Sequence, residues 1–239
     1  MHSLDHHRIK TRQVTLAASF AAVYFVLRTI PTFQMVGISG RFSAADFLLT
    51  TIAMLCGLWG GVLSVVIGTI LAYGLRPPIF FGLDFLPAIA NVAIAALLLK
   101  GRYRTARGIY VAIFFAFVLS PYSLLFEYGY VPYTWLHIVA LIVLLSPIAV
   151  KVPAWLSGYG YRQIVAIGTL AFVGTMGQHL VGGLLYELAV GVVGGVSPSN
   201  LALTWRIIFL AYPIERLLTV ILSTIMALAV QRSIKKWMP

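Results

Sequence analysis

Charge is scarce in this sequence. Its 239 residues include only 6 acidic and 17 basic side chains, and charged residues make up 10% of the chain. A soluble domain carries roughly a quarter of charged residues, so a water-soluble globular protein is excluded. A single cysteine, Cys56, excludes an internal disulfide. The sequence also lacks a phosphate-binding loop, a nucleophile elbow and an HExxH motif, so we expect no enzyme, no cofactor and no metal site.

Hydrophobic residues, in contrast, make up 61% of the chain and recur in long runs. Segments that cross lipid must satisfy their own backbone, and the alternation of a β-barrel is absent, so the runs are predicted to be helices. We predict an all-α polytopic membrane protein of about eight (six to eight) transmembrane helices, forming a single integral membrane domain over residues 1–239. The runs fall at residues 14–36, 44–59, 62–75, 85–99, 109–126, 135–150, 164–187 and 205–230.

The second, third and fourth runs are short for a bilayer, which needs roughly 20 helical residues. They are either steep spans in a thin region, or the second and third form a re-entrant hairpin. Both alternatives return the chain to the same side, so the count of passages does not separate them.

The net charge of +11 is concentrated at one predicted face of the membrane. Cytoplasmic loops carry an excess of lysine and arginine, so this face is assigned to the cytoplasm, together with the basic tail at residues 1–13 and both termini. The protein is predicted to be a multi-pass protein of the plasma membrane, and nucleic-acid binding is not needed to explain the charge. The basic residues concerned are Arg8, Lys10, Arg12, Lys100, Arg102, Arg104, Arg107, Lys151, Arg162, Arg232, Lys235 and Lys236.

Two aspartates stand at predicted helix starts. Asp46 follows Ser43 by three residues, the spacing of a capping box, with an external carboxylate facing Arg41 as the alternative. Asp84 precedes Pro87, which is tolerated in the first turn of a helix. The sequence therefore favours structural roles for both acids.

Glu215 and Arg216 lie inside the last apolar run, after Pro213. Each isolated charge inside a membrane helix costs about 2.5–3.5 kcal/mol on insertion scales, so both side chains require partners or a polar cavity. A buried ion-pair network and a ligand contact are both compatible with this position.

The seventh run is interrupted by Gln178 and His179 among several glycines, with Glu187 two turns further on. Glycines let a neighbouring helix or a ligand approach the backbone closely. A histidine in such a run is most often a hydrogen-bonded interior residue. Together with Arg206, these side chains nevertheless suggest a polar pocket near the external end, whereas His137 stands alone in the sixth run.

The first run carries two overlapping AxxxA pairs, formed by Ala17, Ala18, Ala21 and Ala22. Small residues at this spacing form a flat face against which another helix can pack closely. Spacing alone favours packing within this chain, and contact with a partner protein is the alternative.

Together these features resemble the substrate-binding S-components of energy-coupling factor (ECF) transporters. In that family an AxxxA helix and a loop are followed by a segment like FSAADFLLTTIAMLCGLWGGVLSVVIGTIL, a proline-containing external loop and a helix that ends in basic residues. The resemblance covers residues 14–107, and the C-terminal helix pair at residues 162–232 is compatible with it. The family usually has six helices, so residues 108–150 are interpreted as an extra helical hairpin.

The resemblance implies a membrane uptake component that captures a vitamin-like or other small micronutrient from the external side. It further implies a transmembrane coupling protein with two cytoplasmic ATPases, docked on the alanine face, and a gating loop around residues 34–41. The alternative is a non-catalytic structural or accessory subunit of a membrane complex. The candidate substrate-binding residues are Arg41, Asn91, Gln178, His179, Glu187, Trp205 and Arg206, with Glu215 and Arg216 deeper.

Overall fold

A computed structural model describes residues 2–123, 126–127 and 131–237. The chain is 77% helical, which confirms the prediction of an all-α protein. A short 3-10 helix at Ala44–Leu48 precedes α2, and a π-helical turn at Glu187–Val193 extends α7. The α-helices are α1 (His2–Arg28), α2 (Leu49–Ala72), α3 (Leu86–Leu99), α4 (Tyr103–Val118), α5 (Trp135–Leu145), α6 (Pro147–Ser157), α7 (Tyr161–Tyr186), α8 (Pro198–Ile208) and α9 (Ala211–Trp237).

Among the described residues, three helices are long and apolar enough to cross a membrane, or four if α5 and α6 form one broken span. The chain is therefore a helical membrane protein. Shorter apolar helices cover Gln13–Arg28 and Leu86–Leu99. The three long candidates are Ala44–Ala72, Tyr161–Val193 and Ala211–Ser233.

The first of these candidates is folded back on itself at Gly57, which has φ 66° and ψ −163°. This region of backbone space is essentially restricted to glycine. In a straight helix, the nine-residue separation of Ile52 and Gly61 would place them about 13.5 Å apart along the axis. In this structure, a Cβ atom built at Gly61 would lie only 3.2 Å from the Cγ2 atom of Ile52. The second and third apolar runs therefore form a helical hairpin, as both sequence alternatives require.

The first apolar run ends earlier than the prediction of residue 36. Helix α1 ends at Arg28, and two antiparallel strands follow, β1 (Pro31–Gln34) and β2 (Arg41–Ser43). Proline has no N–H and disfavours helical conformation in the residue before it, so Pro31 stops the helix. A second small hairpin pairs β3 (Phe126–Glu127) with β4 (Val131–Pro132).

Proline also divides the last run, which was predicted to be a single helix. Helix α8 ends at Ile208 and α9 begins at Ala211. The ring of Pro213 inside a continuous helix would clash with the carbonyl of Phe209, four residues earlier. Consequently Glu215 and Arg216 lie in the second turn of α9 rather than in the middle of a span.

Helix α7 is the centre of the fold. In the Tyr161–Val193 candidate, 67% of the most apolar stretch is buried inside the protein. The corresponding share is 33% for the Ala44–Ala72 candidate and 28% for the Ala211–Ser233 candidate. Helix α7 packs against α3, α4, α5, α6 and α9. A Cβ atom at Gly177 would collide with Ile94 of α3, so this glycine permits the close approach of the two helices. The polar residues of α7 are thereby held against several neighbours at once.

Candidate ligand-binding cavity

A cavity of about 470 Å³ lies where the end of α1, the end of α2, the start of α3, the C-terminal half of α7 and the start of α9 meet. Its volume falls within the range of roughly 300–1,000 Å³ of small-molecule pockets. The β1–β2 hairpin and the loop between α2 and α3 complete its wall. The ionisable residues that line it are Arg28, Arg41, Asp46, Tyr73, Arg76, Asp84, His179, Tyr186, Tyr212, Glu215 and Arg216.

A chain of three polar side chains connects α3 to this wall. The Nδ2 atom of Asn91 donates to Oε1 of Gln178 over 2.8 Å, and Nε2 of Gln178 donates to Oδ1 of Asp46 over 2.8 Å. All three residues are buried. Because Asn91 occupies the acceptor of the Gln178 amide, the amide is oriented with its donor towards the aspartate.

Asp46 therefore differs from its predicted role. The side chain of Ser43 makes no capping hydrogen bond at the 3-10 helix, and Asp46 faces Gln178 rather than a helix N-terminus. The capping-box prediction is wrong. The segment after Ser43 is a 3-10 helix, and its acidic side chain, Asp46, accepts a hydrogen bond from the side-chain amide of Gln178 on α7 instead.

Arg216 lies close to the same aspartate and is almost completely buried, with 1% of its side chain exposed. Its Cζ atom lies 4.2 Å from the centroid of the Phe42 ring, a cation–π contact. Its Nη2 atom is 3.8 Å from Oε2 of Glu215, which is too long for a hydrogen bond. The Nε and Nη2 atoms have no hydrogen-bond partner among the described residues.

Two histidines from different helices meet beside the cavity. The Nε2 atom of His137 on α5 lies 2.9 Å from Nδ1 of His179 on α7, and the two rings are nearly parallel, at 8°. The ring of Tyr212 packs against both, with centroids 5.6 Å from His137 and 5.1 Å from His179. His179 lines the cavity, and His137 lies behind it. Because only one of the two bonded nitrogens can carry the proton, the tautomers of the two histidines are coupled.

The β1–β2 hairpin covers one side of the cavity. Its tip is held internally, because Nε2 of Gln34 donates to the carbonyl of Gly40 over 3.1 Å and Nε of Arg41 donates to Oε1 of Gln34 over 2.9 Å. A single bond in the described part of the chain ties the tip to α7: the hydroxyl of Tyr186 donates to the carbonyl of Val36 over 3.0 Å. The hairpin is thus a small folded flap with one polar attachment to the helix behind it.

The loop between α2 and α3 forms a second side, and Asp84 folds it. Its carboxylate accepts hydrogen bonds from the backbone N–H groups of Ile79 at 3.0 Å and Phe80 at 3.2 Å. Helix α3 starts two residues later with Pro87 in its first turn, as predicted, but Asp84 makes loop contacts rather than a cap. The Nη2 atom of Arg76 donates to the carbonyl of Thr29 over 2.7 Å and joins this loop to α1.

The predicted site residues separate into two groups. Arg41, Gln178, His179, Trp205, Glu215 and Arg216 line the cavity. Asn91 lies one hydrogen bond behind it. Glu187 is buried beside Ser123, whose hydroxyl donates to its Oε1 atom over 2.9 Å, and Arg206 is exposed; neither lines the cavity.

Sequence reasoning missed Arg28, Phe42 and Tyr212, and left Asp46 and His137 out of the predicted site. No spacing signal marks them, because each comes from a different segment and reaches the cavity only through tertiary packing. The charge of Arg28 inside the first apolar run was the one available hint.

The alanine face of α1 is divided. Ala17 and Ala21 are buried against α2, where the hydroxyl of Ser64 donates to the carbonyl of Ala17 over 2.9 Å. Ala18 and Ala22 are exposed on the other side of the helix. Ala17 and Ala21 therefore pack within the chain, as the spacing of the alanines favoured. Ala18 and Ala22 are accessible to a partner protein.

Within the described residues, no group of three histidine, cysteine or acidic side chains is arranged to hold a metal ion. Neither a protein-family model, nor a curated protein, nor a solved structure matches this chain. Any functional assignment therefore depends on the cavity itself.

Proposed function

We propose that this protein is a membrane uptake component that binds a vitamin-like or other small micronutrient in the cavity and delivers it with an energised coupling module. The observation that carries the proposal is a flap-covered cavity of about 470 Å³ at one end of a membrane helix bundle. A few convergent polar groups within an aromatic wall are typical of small-molecule sites. The polar groups are arranged for recognition, so the proposal is of a binding protein and not an enzyme.

The positions of charged residues support an external orientation of the cavity. Four helices contribute one end to it: α1 through Arg28, α3 through Pro87, α7 through Tyr186 and α9 through Ala211. An excess of basic residues flanks the opposite ends of these same helices, whereas the four arginines of the cavity wall are accompanied by three carboxylates. With the basic ends in the cytoplasm, both termini are cytoplasmic and the cavity opens to the outside of the plasma membrane. In this proposal the shorter helices also cross the membrane, which brings the number of passages to six to eight. These residues are Arg8, Lys10 and Arg12 in the N-terminal half of α1, Lys100 and Arg102 after α3, Arg162 at the start of α7, and Arg232, Lys235 and Lys236 at the end of α9.

The partner in this proposal is a transmembrane coupling protein with two cytoplasmic ATPases. The resemblance to S-components assigns that contact to the alanine face of the first helix. Because Ala17 and Ala21 are buried within the chain, the part available to a partner is the exposed pair Ala18 and Ala22.

Mass spectrometry of small molecules released from the gently purified protein tests the proposal. We expect one small molecule in stoichiometric amount, and we expect it to be lost when Gln178→Leu removes a polar side chain from the cavity wall. A ligand-free protein stably bound to an unrelated membrane complex would instead support the accessory-subunit alternative and refute uptake.

A further inference from the structure

Two of the three guanidinium nitrogens of Arg216 have no hydrogen-bond partner within the described chain. The side chain lines the cavity and is 1% exposed, yet its Nε and Nη2 atoms have no partner. A buried charged group left unpaired is strongly unfavourable, so such donors are normally satisfied by a protein acceptor, a water or a ligand. The carboxylate of Glu215 lies 3.8 Å from Nη2, beyond hydrogen-bond distance.

The two unpaired nitrogens have a specific geometry. Nε and Nη2 lie on the same edge of the guanidinium plane, and their N–H bonds form the fork that binds two oxygens of one carboxylate or phosphate group. The ring of Phe42 packs against the face of this plane, 4.2 Å from Cζ. The face is therefore occupied by an aromatic ring, whereas the edge is unpaired but buried, so an anion must displace the Glu215 side chain to reach it.

The neighbouring protein carboxylates have other contacts. Asp46 accepts the amide of Gln178 at 2.8 Å, and Asp84 accepts two backbone N–H groups of its own loop. Glu215 lines the cavity and is 23% exposed, so it can turn away from Arg216 and still remain in the cavity wall, where its charge continues to count. An incoming anion can take its place beside the guanidinium.

The formal charge of the wall decides which anion fits. Four arginines and three carboxylates line the cavity among the described residues, which leaves one positive charge when histidine is counted as neutral. A carboxylate neutralises this charge, whereas a phosphate dianion exceeds it. The rest of the wall includes the aromatic side chains of Phe42, Tyr73, Phe80, Tyr186, Trp205 and Tyr212.

Resting on the proposed function, we infer that the ligand is a monocarboxylate with an aromatic or apolar body, whose carboxylate binds the Nε and Nη2 edge of Arg216. The carboxylate displaces Glu215 from the guanidinium, and the ring or apolar body occupies the aromatic part of the cavity.

The first test identifies the small molecules released by denaturing the full-length protein and its Arg216→Gln variant, both purified in detergent. We expect a carboxylic acid, recognised by its methyl esterification, in the wild type and in the Arg162→Gln control, and its loss from Arg216→Gln. Arg162 is a suitable control because it is an exposed arginine at the far end of α7. A released molecule without an acid group overturns this inference alone, whereas the absence of any released molecule overturns the proposed function as well.

The second test compares 3-phenylpropionate, its amide and phenyl phosphate by calorimetric titration of protein freed of bound molecules. We expect the acid to bind at least tenfold more tightly than the other two, and Glu215→Gln to bind it at least as tightly as wild type. Arg216→Lys, which keeps the charge but not the fork, should weaken acid binding at least tenfold while still folding. Equal binding of acid and amide, preference for the phosphate, or undiminished binding by Arg216→Lys overturns the inference.

Discussion

The Nε2 atom of Gln178 lies 2.8 Å from the Oδ1 atom of Asp46, a residue 132 positions earlier in the chain. This bond joins the central helix α7 to the 3-10 helix that leads into the α2 hairpin. Asn91 on α3 holds the same amide from behind, also at 2.8 Å. Three segments that build the cavity are thus fixed relative to one another by two hydrogen bonds among buried groups.

Replacing Gln178 by leucine should destabilise the protein. Asn91 and Asp46 would both lose a partner in a buried environment, at a cost of about 1–3 kcal/mol for each unsatisfied group. Gln163→Leu is the matched control on the same helix, because Gln163 is also buried and neither of its amide atoms has a partner among the described residues. We expect a lower unfolding temperature in detergent for Gln178→Leu only, and equal losses in the two variants would contradict the role of the polar chain.

The sequence predicted the helical membrane fold and the importance of the last two runs, because apolar length and unusual interior charge are local signals. Polar groups in an apolar run need a polar environment, and this is why the sequence singled out four such residues. All four line the cavity: Gln178, His179, Glu215 and Arg216. Asp46 could not be assigned in this way. Its partner lies on a helix far along the chain, and a local capping motif explained it equally well.

Gly57→Ala should destabilise the α2 hairpin by about 1–3 kcal/mol, the usual cost of a non-glycine residue in a glycine-only backbone region. Nothing lies within 4 Å of a Cβ atom built there, so the effect would come from backbone strain and not from a clash. Gly108→Ala is the control, since Gly108 lies in α4 without positive φ and is equally free of neighbours. Thermal unfolding should show a loss for the first variant and no loss, or a gain, for the second. A neutral Gly57→Ala would argue against the fold-back at this residue.

Helix boundaries were predicted less well than helix existence, and proline explains the differences. Pro31 and Pro213 each interrupt a run whose hydrophobicity continues on both sides. Hydrophobicity records preference for lipid or for a core, whereas the missing N–H of proline acts on the backbone alone. If each proline is taken as a helix boundary, the first helix ends before the flap at residues 31–43, and Arg216 falls near the start of α9.

Tyr186→Phe should loosen the flap. The variant removes the hydroxyl that donates to Val36 over 3.0 Å and leaves the ring in place. A net hydrogen bond contributes about 1 kcal/mol, so opening of the flap should become roughly fivefold more frequent. Hydrogen exchange of the amides between residues 35 and 40 measures this opening. Tyr110→Phe, which loses a bond of the same 3.0 Å length to the carbonyl of His137, should leave exchange in the flap unchanged; acceleration in both variants would show a global effect instead.

The divided alanine face of α1 gives the sharpest test of the coupling partner. Ala21→Leu should destabilise the protein by about 1–3 kcal/mol, because the backbone of α1 at this residue approaches Gly68 so closely that extra methylene groups overpack the interface. Ala22→Leu places the same side chain on the exposed side of the helix, so its unfolding temperature should match wild type. If the coupling protein docks there, Ala18→Leu and Ala22→Leu should lose co-purification with the coupling protein and ATPases while retaining the released small molecule. Retained co-purification in both variants would place the docking surface elsewhere, and loss of the small molecule would link this face to the cavity instead.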